Sequence, residues 1–163
     1  KGRFIVDVTE ILFFTIPAFS QGFTREKIKI PFEPKLELKT QKISVKNDGS
    51  TVKTELLLNF KLEKDSYIYK VSLSVEVNPL KDIKVGNPVF PATEKKLDKF
   101  LNKTKEIYHK SFIIKIPLEI TENAGTGKFK VSSIVSYQGC SKTICFIPQE
   151  KTLSVPFEII KKK

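Results

Sequence analysis

Residues 39–62 indicate the fold class of this chain, and they read KTQKISVKNDGSTVKTELLLNFKL. Two segments with alternating polar and apolar residues, 39–46 and 52–62, flank the turn-forming run 47–50. Alternation with a period of two is typical of half-buried β-strands, and Asp-Gly between two such runs is a strong hairpin signal. The stretch therefore predicts two antiparallel strands joined by a tight turn at 47–50.

Strand-like alternation recurs along the rest of the chain. Further strands are predicted at these ranges: 67–77, 111–120, 127–137 and 152–160. Short strands with little helical sequence between them favour an all-β, immunoglobulin-like antiparallel sandwich. The one helical candidate is 93–107, where a few apolar residues fall on one face, and a polar loop with apolar anchors is the alternative.

The length of 163 residues fits one domain with an appended arm. We expect 1–30 to form an N-terminal arm or extra strand and 31–163 to form the immunoglobulin-like domain. The apolar stretch 11–19 resembles the centre of a secretory signal, but Asp7 and Glu10 precede it closely, so a signal remnant is the alternative. No run in the sequence approaches the roughly 20 apolar residues that cross a bilayer.

The net charge of +11 raises the question of a nucleic-acid partner. Of the 29 basic residues, 27 are lysine, and they are spread along the chain instead of forming one basic block. Bidentate recognition of bases and phosphates favours arginine. The composition therefore indicates a solvated, lysine-rich surface and no nucleic acid, with a surface that binds nucleic acid or anionic lipid as the competing hypothesis.

The inventory of reactive side chains excludes most catalytic and metal sites. There is one histidine, His109, no methionine and only 7 glycines. Two cysteines and one histidine do not complete a four-ligand zinc site, a thioether copper site needs methionine, and no phosphate-binding glycine loop is present. We predict no metal and no cofactor, which leaves the cysteines as the candidate chemistry.

Cys140 and Cys145 lie in the segment QGCSKTICFIP, with four residues between them. A structural disulfide is one interpretation, although closing a loop of about six residues gains roughly 2 kcal/mol at best. Two buried thiols are a second, but the residues between the cysteines are polar. A redox-active pair is the third, and Lys142 would favour the thiolate. From the residues alone, the redox and structural interpretations weigh equally.

The surroundings of the cysteines resemble the N-terminal (alpha) domain of DsbD-type thiol:disulfide interchange proteins. The segment Tyr137-Gln-Gly-Cys140 is similar to the family's Tyr-Gln-Gly-Cys signature, and Cys145-Phe-Ile-Pro148 is similar to its Cys-Tyr-Pro-Pro segment. The run 65–70 looks like the family's Gly-Tyr-x-x-Tyr segment, and 98–108 resembles its cap loop over the cysteines. The resemblance covers about 34–160 in the family's order.

The resemblance implies a function outside the cytoplasm, on the periplasmic side of the inner membrane. Such a domain receives electrons from a membrane-embedded thiol relay through a thioredoxin-like domain, and it reduces oxidised periplasmic proteins. The implied partners are a disulfide isomerase and thioredoxin-like proteins of cytochrome c maturation, and the implied activity is that of a protein-disulfide reductase. The alternative is a non-catalytic immunoglobulin-like interaction module with a structural disulfide.

The resemblance also assigns roles to individual residues. Cys140 and Cys145 are the redox pair, and Cys145 is favoured as the attacking thiol. The cap over the pair comprises the aromatic shield and its neighbours: Phe100, Asp98 and Leu101. Three tyrosines are expected to line the site: Tyr67, Tyr69 and Tyr137. Ordinary packing is the alternative for Phe100 and for the first two tyrosines.

The chain departs from the family's pattern at the site. The family usually has one more residue between its cysteines, and Ile147 stands where the family has the first of two prolines. Leu101 and Asn102 replace an aromatic residue and a glycine in the cap, and Lys99 occupies a position where the family can carry a second carboxylate. These differences leave the opening of the cap and the charge control of the thiols open.

Overall fold

The computed structural model describes residues 29–98 and 102–162, which form strands joined by turns and one 3-10 turn at Lys70–Ser72. The strands in chain order are β1 (Phe32–Leu38), β2 (Lys42–Lys46), β3 (Val52–Leu62), β4 (Tyr67–Tyr69), β5 (Ser74–Val77), β6 (Ile83–Val85), β7 (Glu94–Asp98), β8 (Lys103–Tyr108), β9 (Phe112–Ile120), β10 (Gly127–Tyr137), β11 (Gly139–Cys140) and β12 (Gln149–Lys162).

Two four-stranded sheets pack face to face as a sandwich. Their strand orders are β1-β3-β9-β6 and β2-β12-β10-β5. Among the described strands of these two sheets, every ladder is antiparallel except the pairing of β2 with β12, which is parallel. The prediction of an all-β immunoglobulin-like sandwich is therefore confirmed.

The main core lies between the two sheets and is built by alternate residues of the central strands. One sheet contributes Leu56, Leu58 and Phe60 from β3 and four residues from β9: Ile114, Ile116, Leu118 and Ile120. The facing sheet contributes alternate residues of β10 and β12: Val131, Val135, Tyr137, Val155, Phe157 and Ile159. A period of two places one face of each strand in the core, and this is why the alternation in the sequence located these strands.

The predicted hairpin between 39–46 and 52–62 is wrong. β2 pairs with β12, whereas β3 pairs with β1 and β9 in the opposite sheet. The turn at 47–50 therefore crosses between the two sheets, with Gly49 at φ 77° and its N–H donating to Glu122 Oε2 at 2.7 Å. Both strands bury alternate residues in the same core from opposite sides, and a hairpin would give the same pattern.

The helical candidate at 93–107 is also wrong, and so is its alternative of a polar loop. β7 and β8 form an antiparallel hairpin whose register pairs Asp98 with Lys103 and Glu94 with Ile107. Leu97 is 55% exposed, so the apolar residues of this stretch do not share one buried helical face. The segment predicted as one strand at 67–77 is two strands in different sheets, β4 and β5, separated by the 3-10 turn.

Among the described residues, no helix has the length and hydrophobicity that spanning a bilayer requires. The N-terminal part of the predicted arm, residues 1–28, lies outside the described residues, as do Phe100 and Leu101 of the predicted cap. The boundary between arm and domain at 30 stays a prediction.

Candidate functional site

A third sheet, with shorter strands, carries both the cysteine segment and the tyrosines and aspartate that the sequence assigned to the site. Its strand order is β11-β4-β8-β7, and it lies at the end of the sandwich where β3 and β10 end. Cys140 on β11 pairs with Tyr67 on β4, and Tyr69 on β4 pairs with Ile107 on β8. Asp98 is the last residue of β7. Pairing in this sheet brings together residues from four separate parts of the chain.

The cysteines form a disulfide across a tight hairpin. Cys140 and Cys145 face each other as a β-bridge, with Cα atoms 3.9 Å apart. The turn is closed by the Ser141 N–H, which donates to the carbonyl of Ile144 at 2.8 Å, and by the Phe146 N–H, which donates to the carbonyl of Gly139 at 3.0 Å. Cys140 is fully buried, whereas Cys145 is exposed. The solvent-accessible side of the disulfide is therefore that of Cys145.

Gly139 is required by the close packing of β11 against β4. A Cβ atom at this position would lie 2.3 Å from the Tyr67 carbonyl oxygen and 2.6 Å from Cζ of Phe32. Distances below about 3 Å do not occur for real Cβ atoms, so any other residue would displace β11. This explains in physical terms why the Tyr-Gln-Gly-Cys segment carries a glycine before its cysteine.

A small apolar cluster, separate from the main core, lies under the disulfide. It consists of the buried residues Tyr67, Ile107 and Cys140, with Tyr69 packed against them. The two tyrosine rings contact edge to face, with centroids 5.5 Å apart, and Lys96 Nζ lies 4.0 Å from the centroid of the Tyr67 ring. The cluster fixes the position of Cys140, while Cys145 stays outside it.

Tyr69 links the disulfide to a buried carboxylate. Its hydroxyl donates to Asp98 Oδ2 at 2.6 Å and lies 3.3 Å from Cys140 Sγ and 3.9 Å from Cys145 Sγ. Because a disulfide carries no thiol hydrogen, the only proton in this contact is that of the tyrosine, and it is directed to Asp98. Burial and, next, the hydrogen bond to Asp98 raise the pKa of Tyr69, so the hydroxyl stays protonated at neutral pH.

The structure therefore brings together five of the predicted site residues: Cys140, Cys145, Asp98, Tyr67 and Tyr69. Tyr137 is placed elsewhere. Its ring lies in the main core, edge-on to Phe60 at 5.3 Å and to Phe32 at 6.2 Å, and it is 1% exposed.

Sequence reasoning missed two residues that hold the site. Ile107 falls in the helical candidate and in the run that resembles the cap loop, but it was given no role of its own, and it is part of the cluster under the disulfide. Ser72, in the 3-10 turn, accepts the N–H of Gln138 at 3.2 Å through its hydroxyl oxygen, which lies 3.0 Å from the Tyr69 carbonyl oxygen. It therefore ties β4 to the segment that precedes Cys140. A hydroxyl in a turn gives no sequence signal of such a distant partner.

The sequence profile of one family matches most of the described chain. Its description is thiol:disulfide interchange protein DsbD, N-terminal, and the match covers residues 33–156. The chain belongs to this family. Comparison of the sequence with curated proteins gives no significant match.

Three solved structures are similar to this chain, and the two with a TM-score of 0.50 show that the fold is shared. The reduced DsbD N-terminal domain of Neisseria meningitidis is 20% identical, with a TM-score of 0.50 over 78% of this chain and 90% of that chain. The same organism's DsbD N-terminal domain in complex with the PilB N-terminal domain is 22% identical, with a TM-score of 0.49 over 81% of this chain and 87% of that chain. The N-terminal periplasmic domain of ScsB from Proteus mirabilis is 13% identical, with a TM-score of 0.50 over 78% of this chain and 47% of that chain.

Membership of the family and the Cys140–Cys145 disulfide together identify a thiol–disulfide exchange domain. The geometry fits that chemistry. Exchange needs one sulfur that a partner reaches and a second sulfur that stays close enough to resolve the mixed disulfide. The exposed Cys145 and the buried Cys140 meet these two requirements.

Proposed function

We propose that this domain is a periplasmic protein-disulfide reductase. It receives two electrons from a membrane-embedded thiol relay, stores them as the Cys140–Cys145 dithiol, and passes them to oxidised periplasmic proteins. The observation that carries the proposal is the asymmetric cysteine pair, with Cys145 exposed, Cys140 buried and a tyrosine hydroxyl 3.3 Å from Cys140 Sγ. Family membership supports the compartment, since disulfides persist in the oxidising periplasm.

The delivery step starts from the reduced domain. The Cys145 thiolate attacks one sulfur of the partner disulfide, the partner's S–S bond breaks, and its second sulfur leaves as a thiolate. The Cys140 thiolate then attacks Cys145 Sγ in the mixed disulfide, which releases the first partner sulfur and re-forms the Cys140–Cys145 bond. The partner gains two electrons and the domain loses two. Cys145 is the attacking thiol because it is the cysteine that a partner can reach.

Tyr69 and Asp98 act on the buried sulfur in this proposal. In the reduced state the hydroxyl oxygen of Tyr69 accepts a hydrogen bond from the Cys140 thiol, because oxygen and sulfur are already at hydrogen-bond distance in the disulfide form and the one proton of the hydroxyl is donated to Asp98. The hydrogen bond from Tyr69 to Asp98 fixes the orientation of that hydroxyl. Tyr69 is thus a positioning residue for Cys140, and Tyr67 supports it through their edge-to-face contact.

The cap is part of the same proposal. Phe100 shields the disulfide from small oxidants and thiols until a partner docks, and Leu101 completes the cap. Asp98 supports this assignment because it touches Tyr69 and precedes Phe100 by two residues, a span of at most about 7 Å of chain. The proposed partners are thioredoxin-like proteins, including those of cytochrome c maturation, and a disulfide isomerase.

The competing function is an interaction module whose disulfide is structural, and a reduction potential separates the two. Equilibration of the domain with glutathione buffers should give a potential in the range of redox proteins, between about −120 and −270 mV. A structural disulfide would lie below about −300 mV, and a value there would contradict the proposal. The position of the bond within one hairpin, outside the main core, favours the redox assignment.

Variants of the two cysteines provide the second test. Cys140→Ala should leave the fold intact and trap a mixed disulfide between Cys145 and a thioredoxin-like partner, because the resolving thiol is missing. Cys145→Ser should abolish both the trapped complex and turnover. Far-ultraviolet circular dichroism and urea unfolding provide the control for folding. Unfolding of both variants at neutral pH would mean that the bond is structural.

A further inference from the structure

We propose that a basic pocket beside the disulfide selects partner proteins that carry acidic residues next to their own redox cysteines. This inference rests on the proposed function and names the chemistry of the partner that the site accepts. The pocket encloses about 430 Å³, and the six residues that define it here are Asp65, Lys96, Leu97, His109, Ser141 and Lys142. We refer to these six as the basic pocket.

The charge of the basic pocket favours an anionic group. It contains two ammonium groups, Lys96 and Lys142, and Asp65 is the one carboxylate among its described lining residues. Neither lysine has an ion-pair partner within the described part of the chain, and Lys96 is held over the Tyr67 ring by a cation–π contact at 4.0 Å. An incoming carboxylate therefore meets donors that no described carboxylate already engages.

The position of the basic pocket couples it to the reacting sulfurs. Ser141 directly follows Cys140, and Lys142 lies in the turn between the two cysteines. An extended chain advances by about 3.3–3.6 Å per residue. A carboxylate that binds in the pocket would therefore come from a residue within about three positions of the partner cysteine that meets Cys145.

Exposed apolar side chains around the site favour a protein segment as the occupant. Leu97, in the basic pocket, is 55% exposed. Ile144, between the two cysteines, is 45% exposed, and Ile147, two residues after Cys145, is 77% exposed. Large exposed apolar residues grouped at one place mark a protein contact. An apolar contact with a basic pocket beside it matches a partner surface that has an apolar centre and carboxylates on one side.

The test uses the reduced domain and two synthetic peptides, each closed by one internal disulfide. The peptides are identical except that the residues flanking one cysteine are Glu in the first and Gln in the second. The second-order rate of peptide reduction is measured at low salt and at about 0.5 M salt, where a Debye length of only a few ångströms screens exposed charges. The reported quantity is the ratio of the Glu-peptide rate to the Gln-peptide rate, which cancels any change in the reactivity of the domain's own cysteines. It is divided by the same ratio measured with dithiothreitol, which corrects for the effect of Glu on the reactivity of the peptide disulfide.

We expect the Glu peptide to react about three- to tenfold faster at low salt and the two peptides to react alike at high salt. Lys142→Gln combined with Lys96→Gln should bring the ratio at low salt close to one, since each exposed charge pair is worth up to about fivefold. The matched control is Lys128→Gln, which removes the same charge about 30 Å away at the far end of β10. That variant should keep the wild-type ratio.

Three outcomes would overturn the proposal. Equal rates for both peptides at low salt would exclude charge selection and leave the proposed function intact, since both peptides would still be reduced. An equal drop in the ratio for Lys128→Gln would assign the effect to net charge and not to the basic pocket. Failure of the domain to reduce either peptide, or to exchange with dithiothreitol, would overturn the proposed function and this inference together.

Discussion

Replacing Gly139 by alanine tests whether the close contact between β11 and β4 holds the redox hairpin in place. The added Cβ would lie 2.3 Å from the Tyr67 carbonyl oxygen and within 3.0 Å of two atoms of the Phe32 ring. The oxygen belongs to the backbone of β4, and Phe32 is buried with its ring edge-on to Tyr137 and Phe146. Neither neighbour can rotate away, so β11 itself must shift.

The expected loss of stability follows from the size of the shift of β11. Tight Cβ contacts begin near 3.4 Å, so β11 would have to retreat by about 1.1 Å from the Tyr67 oxygen. Such a movement weakens the hydrogen bond from the Tyr69 N–H to the Gln138 carbonyl, which is 3.0 Å long. Overpacking of about 1–3 kcal/mol and the loss of one backbone hydrogen bond of about 1 kcal/mol predict a total destabilisation of roughly 2–4 kcal/mol.

The assay is urea unfolding of the oxidised domain at pH 7, together with the rate of reduction by dithiothreitol. Gly139→Ala should lower the free energy of unfolding by the amount above and change the reduction rate, because Cys140 follows Gly139 directly. The matched control is Gly125→Ala, whose Cβ would meet only Cζ of Phe129 at 3.7 Å, an ordinary contact. Its effect should stay below about 1 kcal/mol. A loss under about 1 kcal/mol for Gly139→Ala, or equal losses in the two variants, would refute the reasoning.

Two further predictions concern the surroundings of the sulfurs. Phe100→Ala should speed reduction of the disulfide by dithiothreitol by about threefold or more, which corresponds to a barrier lowered by some 0.7 kcal/mol; an unchanged rate would remove the shielding role. Tyr69→Phe removes a hydrogen bond to the Asp98 carboxylate and should lower stability at pH 7 by about 1.5–3 kcal/mol in urea unfolding. Folding raises the pKa of Tyr69. The difference in free energy of unfolding between the wild type and Tyr69→Phe should therefore be fully present below about pH 10 and fall as pH rises further. A stability difference that grows above pH 10 would contradict a raised pKa of Tyr69 in the folded protein.

Some features of the protein follow from local sequence alone. The alternation in β3 and β10 gave their limits, because a period of two is the geometric signature of a strand with one buried face. The site could be located because the chain has two cysteines and few other reactive groups. The polar residues between the cysteines favoured exposure of both; this is correct for Cys145 and wrong for Cys140, which is fully buried.

Other features depend on which strands meet. The alternation in β2 indicated which of its faces is buried but not which strand it pairs with. β2 pairs with β12 and not with β3, so it lies on the opposite side of the core from β3. The charged residues of β7 and β8 are at positions that fit a helix equally well. The segment forms strands because β7 pairs with β8 and β8 pairs with β4. The periodicity of a segment indicates which of its residues are buried, but it does not determine which strands pair.

The sequence by itself indicated a β-sandwich with one cysteine pair as its candidate chemistry. The tertiary structure decided the environment of that pair. Tyr69 lies 29 residues from Asp98 and 71 from Cys140 along the chain, yet all three meet on the third sheet. Tyr137, three residues from Cys140, lies in the main core instead. Proximity to the sulfurs is set by the order β11-β4-β8-β7, which depends on long-range backbone pairing and on the small apolar cluster that those strands enclose.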